Sequence, residues 1–185
     1  MVAGLTIGII IGVIVIMGIF IYYFNRFVTL ENRIHNSESQ INVQLKKRAD
    51  LVPSLVKTVK SFAKHEKEVF ADVTKARSEM LKSTNIKDKV KAGDGLQEAL
   101  KSIFAIAENY PDLKSNQNYL HLQQELAAIE DKVAYARQYY NDAVLELDNA
   151  SEIFPGVFFF KLYGRQKKNY LKIDEAEKKM PKIDL

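Results

Sequence analysis

The chain has 185 residues and a formal net charge of +4, from 27 Lys and Arg against 23 Asp and Glu, and it contains no cysteine. The missing thiols exclude disulfides, cysteine nucleophiles and cysteine-bound metals. Every Lys, Arg, Asp and Glu lies beyond residue 24, so the first part of the chain and the rest belong in different solvents.

Residues 2–24 (VAGLTIGIIIGVIVIMGIFIYYF) carry no charged side chain. As a helix this run is about 34 Å long, slightly more than a hydrocarbon core of about 30 Å. A cleavable signal peptide is the rival reading. The leader lacks Lys and Arg, the apolar stretch is too long and no small-residue cleavage site follows, so residues 1–25 are expected to be a transmembrane anchor. Tyr22 and Tyr23 fall where aromatic side chains favour the headgroup region, and Asn25 and Arg26 begin the aqueous flank. Arg26 and Arg33 after the run point to an N-out, C-in orientation with a cytoplasmic domain, a small bias that Glu31 offsets. Gly4, Gly8 and Gly12 stack on one helix face. That face is a candidate for close packing against a second helix, or it reflects the ordinary abundance of glycine in membrane helices.

Beyond the anchor the apolar positions follow three- and four-residue steps, the pattern of helices. Leu30, Ile34, Ile41 and Leu45 continue from Phe27, so the first helix is expected to run out of the membrane to about Arg48. Pro53 in mid-helix would remove a hydrogen bond, whereas after Asp50 as N-cap it would fall in a first turn; a boundary or sharp kink is expected around residues 49–53. A new helix over 51–82 is the preferred reading, with Val52, Leu55, Val59, Phe62, Val69, Val73, Ala76 and Met80 as its seam. Residues 83–93 (STNIKDKVKAG) show no sustained apolar face and read as a mobile loop. Asp94 with Gln97 resembles a capping box opening a helix over 94–109, which Pro111 terminates. Tyr119, Leu122, Leu126, Ile129, Val133, Ala136, Tyr140, Val144 and Leu147 define a long helix over 113–153 with a narrow, coiled-coil-like seam. The fold class is therefore all-α: a transmembrane helix followed by an antiparallel helical bundle of about four long helices over 26–173. Residues 174–185 are expected to be a polar, partly disordered tail.

Three blocks also resemble the LemA family of bacterial membrane proteins: QINVQLKKRADLVPSLVKTVKSFAKHE at 40–66, AENYPDLKSNQNYLHLQQEL at 107–126 and ARQYYNDAV at 136–144. They stand in the expected order behind one N-terminal span. The resemblance implies a single-pass inner-membrane protein whose all-helical domain faces the cytoplasm, with no established catalysis and roles in membrane organisation that include magnetosome formation. Glu38 and Ser39 replace the aliphatic or tryptophan residue expected before the Gln-Ile pair.

No catalytic, cofactor or metal residues are expected. His65-Glu66 opens like a zinc-protease helix motif, but Val69 stands where the second histidine belongs. A di-iron bundle needs Glu-x-x-His on two helices, and the chain has none. No phosphate loop or nucleophile elbow appears. Ser37, Gln44, Arg48 and Glu66 interrupt the seams; they either fix register in the core or, as the preferred reading, sit at the seam edge with polar ends in water.

Interaction surfaces are the remaining candidates. Lys57, Lys60, Lys64 and Lys67 form a basic stripe beside the seam, either a solvated face or a surface for acidic lipid or protein. Phe158, Phe159 and Phe160 are followed by Lys161, Arg165, Lys167 and Lys168. This segment either lies in the membrane interface or, as preferred, closes one end of the bundle with its rings buried. The expected function is a non-enzymatic, membrane-anchored scaffold or assembly protein whose partners are the bilayer, other membrane or membrane-associated proteins and its own copies, with no nucleic acid. A membrane-surface or signalling module that transmits helix shifts and, further off, an enzyme or metal-binding bundle are the alternatives.

Overall fold

The computed structural model describes residues 2–172. Six helices follow in order: α1 (Val2–Phe62), α2 (Lys67–Lys82), α3 (Ile86–Glu108), α4 (Pro111–Lys114), α5 (Gln117–Glu152) and α6 (Gly156–Leu162). No strand occurs among the described residues, in agreement with the all-α expectation. The tail expected over 174–185 lies outside the described residues. Residues 2–36 with 139–172 form one compact unit, and residues 37–138 form another.

The first departure from expectation is at Pro53, which lies inside α1 and does not break it. Proline has no N–H to donate to the carbonyl four residues earlier, here Ala49. Arg77 of α2 fills that vacancy, its Nε donating to the Ala49 carbonyl at 2.8 Å. With the orphaned oxygen satisfied, α1 continues to Phe62. The break falls at residues 63–66 instead, closed by the Ala63 N–H donating to Val59 O at 2.9 Å.

Moving the break resets the phase of the next helix. Ala63, Phe70, Val73 and Met80 are buried, whereas Phe62 is exposed and Val69 and Ala76 are only half-buried. Arg77 occupies the seam position between Val73 and Met80. An apolar-periodicity reading selects Ala76 there because it gives weight only to apolar side chains.

The expected loop over 83–93 is also corrected. Asn85 caps α3 by accepting the Asp88 N–H at 2.8 Å, so the helix begins at Ile86 and only residues 83–85 separate it from α2. Asp94 therefore lies inside a helix and does not open one. Val90 and Gly93 extend the buried face of Leu96, Leu100, Ile103 and Ala107 backwards by two turns. Lysines at 87, 89 and 91 conceal that face in the sequence. The expected end at Asn109 agrees with its place as C-cap. Pro111 opens the short α4, where its missing donor costs nothing. Asn116 then accepts the Tyr119 N–H at 3.1 Å in the first turn of α5.

The core of residues 37–138 contains charge. Arg48 is fully buried; its Nη1 donates to the Gly93 carbonyl at 3.2 Å and its Nη2 pairs with Glu130. Arg137, also buried, pairs with Asp94. The seam-edge expectation agrees with the half-buried Glu66 and fails for Ser37 and Arg48, both fully buried, and for Gln44, whose side-chain Oε1 is buried. Burial, with Arg137 nearby, pushes the Arg48 guanidinium down to about 10, and Asp94 works against that shift. It remains protonated at neutral pH. Taking such charges out of water is costly, and each demands its partner in place. They tie α1, α3 and α5 at fixed register.

Candidate membrane-junction site

In residues 2–36 with 139–172, chemistry concentrates where the apolar run of α1 ends. Phe20, Tyr23, Phe24 and Phe27 recur at three- and four-residue steps and so share one face. α6 packs against that face. Phe159 meets Phe20 edge-on at 5.0 Å and stacks on Tyr23 at 4.7 Å. Phe160 contacts Phe27 at 5.3 Å and Tyr163 contacts Phe24 at 5.5 Å, both edge-to-face. Such ring pairs contribute roughly 0.5–1.5 kcal/mol each beyond burial. The Tyr163 hydroxyl also donates to the Phe20 carbonyl at 2.8 Å.

Two glycines make this docking possible. A Cβ on Gly156 would lie 2.1 Å from the Ala150 carbonyl oxygen, so only glycine allows α6 to start so close to the end of α5. Gly164 has φ 62° and ends α6 in a Schellman turn: its N–H donates to Lys161 O at 3.0 Å and the Arg165 N–H to Phe160 O at 3.3 Å. The turn delivers Arg165 to Glu31, with its guanidinium 5.4 Å from the centre of the Phe24 ring. Lys167 then pairs with Glu152. Further along, the Tyr170 hydroxyl donates to Asp148 at 3.0 Å. Asn141 exchanges two hydrogen bonds with the Leu171 backbone at 2.9 and 3.0 Å.

The expected interaction residues scatter. Phe159 and Phe160 are buried, while Phe158 is exposed. Arg165 and Lys167 are engaged in ion pairs, and Lys161 remains exposed; Lys168 is half-buried. Lys57, Lys60, Lys64 and Lys67 are all exposed, yet the stripe is not on one helix. Lys57 and Lys60 belong to α1, Lys64 to the break and Lys67 to the start of α2. Gly4, Gly8 and Gly12 have no atom within 4 Å of a notional Cβ.

The sequence reading treats the phenylalanine run as a unit, either buried or inserted, and the structure divides it. It also leaves out Ile153, Leu162 and Tyr163. The available signal is the four-residue step from Phe158 to Leu162, which sets an outer face apart from the inner one at 159, 160 and 163. An open groove beside the junction is lined by Tyr22, Asn25, Arg26, Thr29, Arg33 and Asn149, with Arg33 paired to Glu146 at 2.7 Å. Among the described residues no group of three or more His, Asp or Glu is placed to hold a metal ion.

Comparison with known proteins places residues 37–185 under the model of the LemA family. The magnetosome protein MamQ 2 of Paramagnetospirillum magneticum is 26% identical over 146 residues, covering 65% of this chain and 54% of that protein. The magnetosome protein MamQ of Magnetospirillum gryphiswaldense is 23% identical over 173 residues, covering 80% of this chain and 64% of its own length. Protein LemA of Metamycoplasma hominis is 26% identical over 136 residues, covering 69% and 61% respectively. The chain thus spans between about half and two thirds of the length of these curated relatives.

Proposed function

Because the chain belongs to the LemA family, we propose that it acts as a non-enzymatic, membrane-anchored helical scaffold that holds partner proteins at a bacterial inner membrane. One observation carries this reading. A single helix, α1, contains both a stretch apolar enough to cross a membrane and the buried seam of Ile41, Leu45, Val52, Leu55 and Val59. Anchor and domain core are therefore one continuous secondary-structure element. Confinement to a membrane surface raises the effective concentration of the domain toward its neighbours there. The relatives named as magnetosome proteins support a place in organising a membrane-associated assembly. Arg26 and Arg33, following the apolar run, favour the domain on the cytoplasmic side.

Crosslinking in intact cells tests this reading, with photoreactive residues replacing the exposed Lys60 and Tyr135 in separate variants. Reproducible adducts to a defined membrane protein, or to a second copy of the chain, are expected. Recovery of the variants in the membrane fraction with no protein adduct at either position would sink the scaffold and leave the anchor standing.

A further inference from the structure

Among the described residues, the junction keeps an outer apolar face largely uncovered. Phe154 is 83% exposed, Ile153 65%, Phe158 57% and Leu162 52%. Ile153 and Phe154 sit in the turn before α6, and Phe158 and Leu162 lie one helical turn apart on it. On the opposite side the same helix packs on Phe20 and Tyr23. Phe20 stands four residues before the last apolar position of the run, about 6 Å inside it. α6 therefore lies at the depth of residues 20–27, where the apolar run ends.

We propose that α6 and the turn before it are a second membrane contact, a wedge lying at the boundary between headgroups and acyl chains, with Ile153, Phe154, Phe158 and Leu162 inserted. The proposal rests on the reading of α1 as a membrane anchor and adds a second element to it. The bilayer is the occupant because the patch is continuous, through the Phe159–Phe20 and Phe159–Tyr23 contacts, with the apolar run itself. Short helices with an apolar outer face and cations at the edge occupy this depth. The insertion is driven by rings more than by charge, since Arg165 and Lys167 are spent on Glu31 and Glu152. Lys161 is left to face the headgroups. The consequence is positional: an anchor of one helix is free to rotate about its axis, whereas a helix with a wedge docked beside it is held at one rotation.

The chain contains no tryptophan, so single substitutions give one emitter each. Ile14→Trp, Phe154→Trp, Phe158→Trp and Asn36→Trp are made in the full chain and placed in nanodiscs of phosphatidylcholine, either unlabelled or brominated on the acyl chains, near the carboxyl end in one set and, to reach the mid-bilayer position 14, near the methyl end in another. Ile14→Trp reports the anchor. Asn36→Trp is the aqueous control, about 18 Å along α1 past the apolar run. The expected result is at least about twofold loss of emission at positions 154 and 158 in brominated discs, as for a side chain buried just below the headgroups, and none at position 36. Quenching at 14 with none at 154 and 158 overturns the wedge and leaves the anchor intact. Absence of quenching at 14 overturns the anchor reading, and the wedge falls with it. A blue-shifted but unquenched emission at 158 also overturns the wedge, because it means that protein covers the patch.

Discussion

In residues 37–138 the helices are tied by charge. Arg48 reaches Gly93 and Glu130, Arg77 reaches the carbonyl left free by Pro53, and Arg137 reaches Asp94. In residues 2–36 with 139–172 they are tied by rings, with Phe159, Phe160 and Tyr163 laid on Phe20, Tyr23, Phe24 and Phe27. Buried guanidinium groups are directional and intolerant of a lost partner, because a charge without one stays in a poor solvent. Ring contacts are less directional and also tolerate a neighbouring hydrocarbon phase. The division suits a chain whose two regions meet different solvents. Ion pairs set the register of helices that pack in water, and aromatic contacts hold the elements level with the end of the apolar run.

The contrast is most exposed at Glu130. Glu130→Ala leaves the fully buried Arg48 charged and unpaired and is expected to cost roughly 3–5 kcal/mol, read by thermal unfolding of the full chain in detergent micelles. Arg48→Met removes the buried charge itself and leaves the partly solvated Glu130, so less than half that loss is expected. Equal losses would break the claim that the buried cation is what makes the pair critical. At the other region the sensitive position is backbone geometry. Gly156→Ala drives a methyl into the Ala150 carbonyl and is expected to cost roughly 3 kcal/mol by the same measurement, the upper range for overpacking. A neutral outcome would mean that the α5–α6 turn yields easily.

The pairing of Arg77 with Pro53 sharpens the picture of the charged region. Arg77→Met orphans the Ala49 carbonyl and is expected to cost about 1–2 kcal/mol. In a Pro53→Ala background the restored N–H takes over that carbonyl, and the same change should cost close to nothing. Additive effects in this double-mutant cycle would refute the compensation. The smallest effect is expected for Glu146→Gln. It breaks a half-exposed pair with Arg33 beside the junction and should change stability by no more than about 0.5 kcal/mol, since water screens such pairs. A larger loss would place charge, and not rings, at the centre of that region as well.

Much of the helical layout is legible in the sequence. Ile34, Ile41, Leu45, Val133, Val144 and Leu147 are buried where their spacing places them, because amphipathic periodicity is a local property of a helix. Three errors share one cause. Pro53 reads as a break, Ala76 reads as core and residues 83–93 read as loop because each depends on a partner distant in sequence: Arg77 for the free carbonyl, the reset phase after Ala63, and the packing around Val90 and Gly93. Of the candidate site, the phenylalanine cluster is legible as a place, but its division into inner and outer faces is not.

The sequence by itself determined that the chain is helical, that one end is apolar enough to span a membrane and that its blocks are of the LemA kind. The first two follow from composition and short-range spacing, and the third rests on resemblance of whole blocks to a known family. Only the tertiary structure decided that α1 runs through Pro53, that Arg48 and Arg137 lie in the core with acidic partners, and that α6 turns two rings inward and leaves Phe158 and Leu162 exposed. Each of those outcomes is a meeting of groups far apart in the chain, and the free energy of burying a charge or a ring is fixed by what it meets.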